Sequence, residues 1–372
     1  MKFLEEFRDP QTAQGLLRGI RHLARDLPRV RFMEVCGTHT VSIFRHGIRD
    51  LLPENVELVS GPGCPVCVTP RTFLDQALRL SQKPHVSLAS FGDMIRVPGS
   101  QSSLEEERAK GRDVRVVYSP LDALQTAREN PGRDVIFLGV GFETTAPAVA
   151  ATLLRAKAEG IKNFWVLGAH KRVVPAMEAI LQAEEVSLEG FLCPPHVSAV
   201  IGSQPYQILA GSWGMPCVIT GFEPLDILQG IYMLLSQVIK KEHKVEVQYR
   251  RGVPSQGNPA ALRIMGEVFQ VEDSLWRGLG NIPKSGLGIK ESFAAWDARI
   301  GFGLEPEDAG DPPGCSCGEV LRGLMEPASC KMFGTLCTPQ KPLGPCMVSG
   351  EGACAAHFKY SQVSLVKGKR PV

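Results

Sequence analysis

The sequence predicts two similar parallel-sheet α/β domains plus a small domain stapled by cysteines. Short β-branched runs alternate with helical patterns along most of the chain, which is the mark of parallel α/β units. After about Lys240 that alternation fades into a Gly- and Pro-rich stretch, and cysteines crowd the C-terminal end. A length of 372 residues suffices for two or three compact domains with their own cores.

The elements follow in order. An amphipathic N-terminal helix closes over Arg21 to Asp26, and Val30 to Val35 reads as a buried strand. Further apolar runs lie at Val56 to Val59, Val86 to Phe91, Val114 to Tyr118, Val135 to Val140, Phe164 to Leu167, Gly190 to Cys193 and Cys217 to Thr220. Helical patterns separate them at Thr72 to Ser81, Leu121 to Glu129, Ala146 to Glu159, Val173 to Ala183 and Pro224 to Lys240. An Asn-Pro-Gly turn at Asn130 to Arg133 is the expected boundary, dividing the chain into 29–130 and 131–240. The strand ending in GFETTAP at Gly141 and the one ending in GFEPLD at Gly221 echo one another weakly.

Composition excludes several classes. Hydrophobic residues are 44% and charged residues 22%, an ordinary globular mixture. A net charge of +2 gives no clustered basic excess, so no nucleic acid is expected as a partner. MKFLEEFRDP lacks the apolar core of a signal peptide, and no apolar run approaches a membrane span, so a cytoplasmic protein is expected, with no membrane partner. There is no Walker loop, no GxGxxG and no GxSxG.

Eleven cysteines are many for such a location, where thiols stay reduced and metal or redox work is their usual use. Six of them fall between Cys315 and Cys354, where an even spread would put about one. The intervening DPPGCSCGE, PLGPC and GEGAC let the backbone turn thiolates inward around an inorganic core, so an iron-sulfur cluster is expected there. A zinc staple would also take four cysteines, but zinc ligands usually pair as CxxC, and the short pair here is Cys315 with Cys317.

Two further cysteine motifs end strands. RFMEV runs into Cys36-Gly37-Thr38-His39-Thr40 and a helix, a setting that lowers a thiol pKa and places Cys36 as a thiolate. Thr38 and Thr40 read best as caps of that helix, and His39 is either a ligand or, more commonly for a lone histidine, structural. VELVS runs into Gly61-Pro62-Gly63-Cys64-Pro65-Val66-Cys67, and a CxxC at a strand end suits dithiol redox chemistry or a soft metal. In a parallel sheet Cys36, Cys64 and Cys67 would converge on one iron. Glu143, in GFETT, reads as a helix cap or a site residue, and His196, in PPHVS, would face the crevice between the domains. Cys193 and Cys217 sit within apolar strands and read as core.

Together CGTHT, GPGCPVC, GFETTAP and PPHVSAVIG resemble the HypD family of hydrogenase maturation factors, over nearly the whole chain. Cys315, Cys330, Cys337 and Cys354, separated by 14, 6 and 16 residues, have the spacing of that family's 4Fe-4S motif. The resemblance implies a redox-active assembly scaffold more than a conventional enzyme, one on which Fe(CN)2CO is built with a HypC-type chaperone and a HypE-type cyanide donor, indirectly for the hydrogenase large subunit. It implies Cys36 as the iron holder, Cys64 and Cys67 as a redox pair or further ligands, and His196 and Glu143 as site residues. It also implies an iron-sulfur cluster domain made of 1–28 with 241–372. Cys317 and Cys346 remain outside the four ligands, as a second redox pair or as inert thiols. The alternative activity is a free-standing, cluster-dependent thiol-disulfide oxidoreductase.

Overall fold

A computed structural model describes residues 5–183, 185–305, 310 and 312–366. Residues 1–4, 306–309, 311 and 367–372 of the expected cluster domain therefore lie outside the described part.

Two sheets organise the chain, both dominated by parallel pairing. The first has the order β2-β1-β7-β8-β9, from β1 (Val30–Glu34), β2 (Val56–Ser60), β7 (Gly190–Cys193), β8 (Cys217–Ile219) and β9 (Val245–Val247). The second has the order β10-β11-β6-β5-β3-β4, from β3 (Val86–Ser90), β4 (Val114–Val116), β5 (Asp134–Gly141), β6 (Phe164–Lys171), β10 (Phe269–Trp276) and β11 (Gly280–Ile289). Inner strands such as β3 and β7 are buried at every position, as expected where helices cover both faces.

The sheets cut across the expected boundaries. Strands β3 and β4 precede Asn130 but join β5 and β6 in the second sheet, while β7 and β8 return to the first. Alternation along a sequence reveals parallel units but not which strands become neighbours, because pairing partners lie far apart in the chain. The echo between GFETTAP and GFEPLD thus spans the two sheets: Gly141 ends β5 and Gly221 follows β8. A side chain at either glycine has no room, since an added Cβ would lie 1.7 Å from Thr145 Oγ1 or 2.1 Å from Asp226 Oδ2.

The N-terminal helix also belongs elsewhere than expected. Helix Pro10–Ala24, capped by Asp9 accepting from the Thr12 amide at 2.7 Å, packs on helix Pro224–Lys240. Its Leu17, Ile20 and Ala24 enter the core beneath the first sheet, with Phe32, Leu192 and Ile231. The Gly- and Pro-rich stretch after Lys240 is likewise absorbed by the sheets. There β9 extends the first, and β10–β11 add an antiparallel hairpin to β6. The hairpin escapes sequence reading because polar residues interrupt it: Gln270 and Asp273 are exposed while Phe269 and Trp276 are buried, so no long apolar run marks it.

What remains as a separate cysteine-rich unit is the C-terminal segment from Cys315. Helix Pro345–Val348 packs against the turn Pro65–Val68, and helix Ala353–Val366 packs against helix Gly37–Arg45. The cysteine segment is thus laid across both N-terminal cysteine motifs. Among the described residues no helix is long and apolar enough to cross a membrane.

Candidate functional site

Strand order places the motifs. In the first sheet the chain runs from β1 outward to β2 on one side, while β7 flanks β1 on the other. The crevice outside the carboxyl ends of β1 and β7 is a topological switch point, where ligands of open α/β sheets bind. CGTHT follows β1 and PPHVS follows β7, so both open onto this crevice. In the second sheet the corresponding point lies between β3 and β5, and GFETT follows β5.

Cys36 occupies the N-terminal boundary of helix Gly37–Arg45, where its side chain makes no cap hydrogen bond. The Gly37 amide donates to the Gly63 carbonyl at 3.0 Å, joining the Cys36 and Cys64 turns. That approach requires glycine, because a Cβ on Gly63 would lie 2.2 Å from Cys36 N. Beneath the turn the buried Glu34 carboxylate accepts from Thr40 Oγ1 at 2.5 Å and from the Cys36 amide at 3.3 Å. Above it Thr38 Oγ1 donates to Glu351 Oε1 at 2.6 Å. Both threonines therefore bind carboxylates of other elements, correcting the cap reading. Neither glutamate stands out in the sequence. Glu351 lies inside GEGAC, which reads only as a flexible link, and Glu34 looks like one polar residue in a strand.

The thiol is not a thiolate in this setting. Burial, then the Glu351 carboxylate, pushes Cys36 up to about 12, outweighing the favourable His39 and Thr38 amides. The helix start does pull in the predicted direction, but desolvation is larger. A metal ion bound by this thiol would have to displace its proton.

His39 is structural: its buried ring donates from Nε2 to the Thr220 and Gly221 carbonyls, each at 3.1 Å, and burial lowers it to about 4. His196 is exposed, and its ring lies 4.3 Å from that of Phe222, whose other neighbour is His39 at 4.9 Å. Glu351 is within electrostatic reach of both Cys36 and His196. His196 accordingly stands at the Cys36 crevice of one sheet, not between two domains.

The sulfurs form a row. Cys67 Sγ lies 2.7 Å from Cys64 Sγ, whose sulfur also accepts from the Cys67 amide at 3.3 Å. Cys346 interacts electrostatically with Cys67 on one side and with Cys317 and Cys354 on the other, and Cys317 interacts in turn with Cys315. Cys315, Cys317, Cys330, Cys337 and Cys354 line one pocket, closed by Met332, Phe333, Leu343 and Met347. A Cβ on Gly344 would lie 2.6 Å from the sulfurs of both Cys315 and Cys317, so the backbone there must pass bare. Cysteine sulfurs around an apolar, glycine-edged cradle fit an iron-sulfur cluster, whose binding would take their protons. Among the described residues no three or more Cys, His, Asp or Glu side chains are grouped for a single metal ion. Cys36 thus does not converge with Cys64 and Cys67, whose sulfurs turn to the C-terminal row.

Glu143 is brought to a helix start and not to the thiols. Its buried carboxylate accepts from the Val173 amide at 3.1 Å, at the head of helix Val173–Ala183, which leads from β6 to β7. Burial pushes it up to about 7 from 4.5. A folded state that raises a carboxyl pKa is most stable below the unfolded value, and that advantage is lost as pH rises through the folded one. Glu143→Gln should therefore match the native protein near pH 5 and be more stable near pH 8, by on the order of a few kcal/mol. Thermal unfolding at the two pH values checks this, and an equal difference at both would show that the carboxyl is not protonated on folding. Cys193 and Cys217 lie buried in adjacent strands, as expected of core residues.

The sequence model of the HypD family, described as a hydrogenase formation family, matches residues 11–361. The chain belongs to the HypD family. HypD relatives align over nearly all of it. Hydrogenase maturation factor HypD2 of Bradyrhizobium diazoefficiens is 46% identical over 370 residues, covering 97% of each chain. HypD of Escherichia coli is 46% identical over 368 residues, covering 97% of this chain and 99% of its own. HypD of Azotobacter vinelandii is 47% identical over 369 residues, covering 97% of each. The CGTHT, CPVC and C-terminal cysteine segments all fall inside the part matched by the HypD model.

Proposed function

We propose that the chain serves hydrogenase maturation as a redox-active scaffold for the Fe(CN)2CO unit. The observation that carries this reading is the row of sulfurs running from the C-terminal cysteine pocket to Cys64 and Cys67, beside the turn that presents Cys36. Cys315, Cys330, Cys337 and Cys354 hold a 4Fe-4S cluster, which when bound supplies electrons one at a time. Cys317 and Cys346 stand between pocket and CxxC as a second thiol pair, and Cys64 with Cys67 exchanges two electrons as dithiol and disulfide. Cys36 receives iron as cargo, losing its proton, and a soft thiolate suits low-spin ferrous iron with cyanide and carbonyl ligands. Glu34 and Glu351 fix the two sides of the Cys36 turn, and His196 lines its mouth. A HypC-type chaperone shares the iron, and a HypE-type donor supplies cyanide.

The free-standing oxidoreductase uses the same cysteines but needs a CxxC open to protein substrates. Cys64 and Cys67 are 3% and 0% exposed, which favours an internal relay. Anaerobic purification with the HypC-type partner and infrared spectroscopy tests the choice. Cyanide and carbonyl bands on iron are expected; their absence, with a bound cluster and rapid disulfide reduction of a protein substrate, would establish the oxidoreductase instead.

A further inference from the structure

The second sheet holds a buried imidazole that the roles above leave unused. His170 is 2% exposed near the end of β6, and neither ring nitrogen has a hydrogen-bond partner among the described residues. Burial alone lowers it to about 4, so the ring is neutral and presents one N–H donor and one lone pair. Buried ring nitrogens are normally hydrogen-bonded. The parallel pairing of β5 with β6 sets Gly139 opposite Gly168 and Gly141 opposite His170, all four on one face of the sheet. An added Cβ on Gly139 would lie 2.9 Å from His170 Cε1, and one on Gly141 would lie 1.7 Å from Thr145 Oγ1. The imidazole and the Thr145 hydroxyl therefore stand over successive bare positions of β5, roughly 7 Å apart along the strand. At Gly168 an added Cβ meets nothing within 4 Å, and the residue is partly exposed, so the strip beside His170 is open. Thr145 is the N-cap of helix Ala146–Ala158, yet its side chain makes no cap hydrogen bond and donates only to the Phe142 carbonyl, at 3.3 Å. The Phe269 ring, 5.5 Å from that of His170, flanks the strip with apolar surface.

We infer that this strip is a site for a small carboxylate, one oxygen accepting from the His170 ring N–H and the other from the Thr145 hydroxyl, at the positive end of helix Ala146–Ala158. A carboxylate held between two hydrogen bonds of about 2.8 Å matches the spacing of the two positions. The start of a helix favours negative charge, and the carboxyl ends of strands beside a switch point are where ligands of open α/β sheets bind. No acidic side chain stands in the way: among the described residues no charge acts on the His170 ring, and Glu143, in the same loop, turns its carboxylate to the Val173 amide. The paired glycines let a flat group lie close to the backbone. This site belongs to the second sheet and stands independently of the iron and cluster readings.

The test follows thermal unfolding of the full-length protein in sodium formate and in sodium acetate, with sodium chloride at equal ionic strength as the reference, beside 15N spectra of the histidine rings. The native midpoint should rise by about 4 °C over the chloride reference when a probe reaches a hundred times its Kd, and one imidazole signal should shift with it. His170→Phe keeps the ring shape without nitrogens, and Gly168→Val fills the strip while leaving them. Both variants should fold by circular dichroism and lose the rise. Thr145→Val, at a partly exposed position, should weaken the probe by roughly tenfold, and it decides with Gly168→Val if His170→Phe does not fold. A native midpoint that moves no further than in chloride, a rise retained in Gly168→Val, native affinity in Thr145→Val, or a rise without a shifted imidazole signal overturns the site and leaves His170 as a core residue.

Discussion

Cys337→Ala is expected to bleach the iron-thiolate absorption and to loosen the entire segment from Cys315 to Cys354. Around Cys337 the chain is held by turns: its amide donates to the Met332 carbonyl at 2.8 Å, its carbonyl accepts from Gly334 at 3.0 Å, and its sulfur accepts from the Leu343 amide at 3.3 Å. A segment of this kind has little regular structure, so the free energy of metal binding is part of its folding free energy. Loss of one ligand should cost on the order of several kcal/mol. The damage should reach the Cys36 crevice, because the same segment presents Glu351 to Thr38 and packs its backbone over Gly37, where a Cβ would meet Glu351 O at 2.6 Å. Visible spectra, iron content and limited proteolysis of native and variant protein measure both effects. An unchanged spectrum would show that the ligands are misassigned.

Cys36→Ala should have the opposite profile, leaving cluster and stability nearly untouched while hydrogenase maturation falls by roughly a hundredfold or more. The sulfur is buried but stands apart from the row that begins at Cys64, and the hydrogen bonds of the Cys36 turn come from backbone atoms and from Glu34, Thr38 and Glu351. Removing it leaves a cavity of one small group, which costs about 1 kcal/mol. Hydrogenase activity in a strain carrying only the variant, beside the absorption spectrum of the purified protein, checks the prediction. Maturation at the native level would remove Cys36 from the iron site, and a bleached spectrum would place it among the cluster ligands.

The contrast between these variants shows how much of the site is legible from residue order. The cysteine crowding and the two strand-end motifs are local patterns, and each appears in the structure where its neighbours suggest. Convergence of Cys36 with Cys64 and Cys67 was expected from fold class alone and does not occur, since side-chain direction depends on how each turn leaves its strand. Thr38 and Thr40 resemble caps by position, yet their hydroxyls find Glu351 and Glu34. Those partners include a residue some three hundred positions away, beyond any local rule.

The strands as far as β8, the helices between them, the cysteine spacing and the family are properties of sequence, because hydrophobic period, turn chemistry and motif are written over a few adjacent residues. The pairing of β3 with β5 and β1 with β7, the docking of the N-terminal helix on Pro224–Lys240 and the sulfur row through Cys346 arise only on folding. Each depends on contacts between distant segments whose partners are selected by packing and burial. Burial also settles the state of Cys36, turning an expected thiolate into a thiol pushed up to about 12.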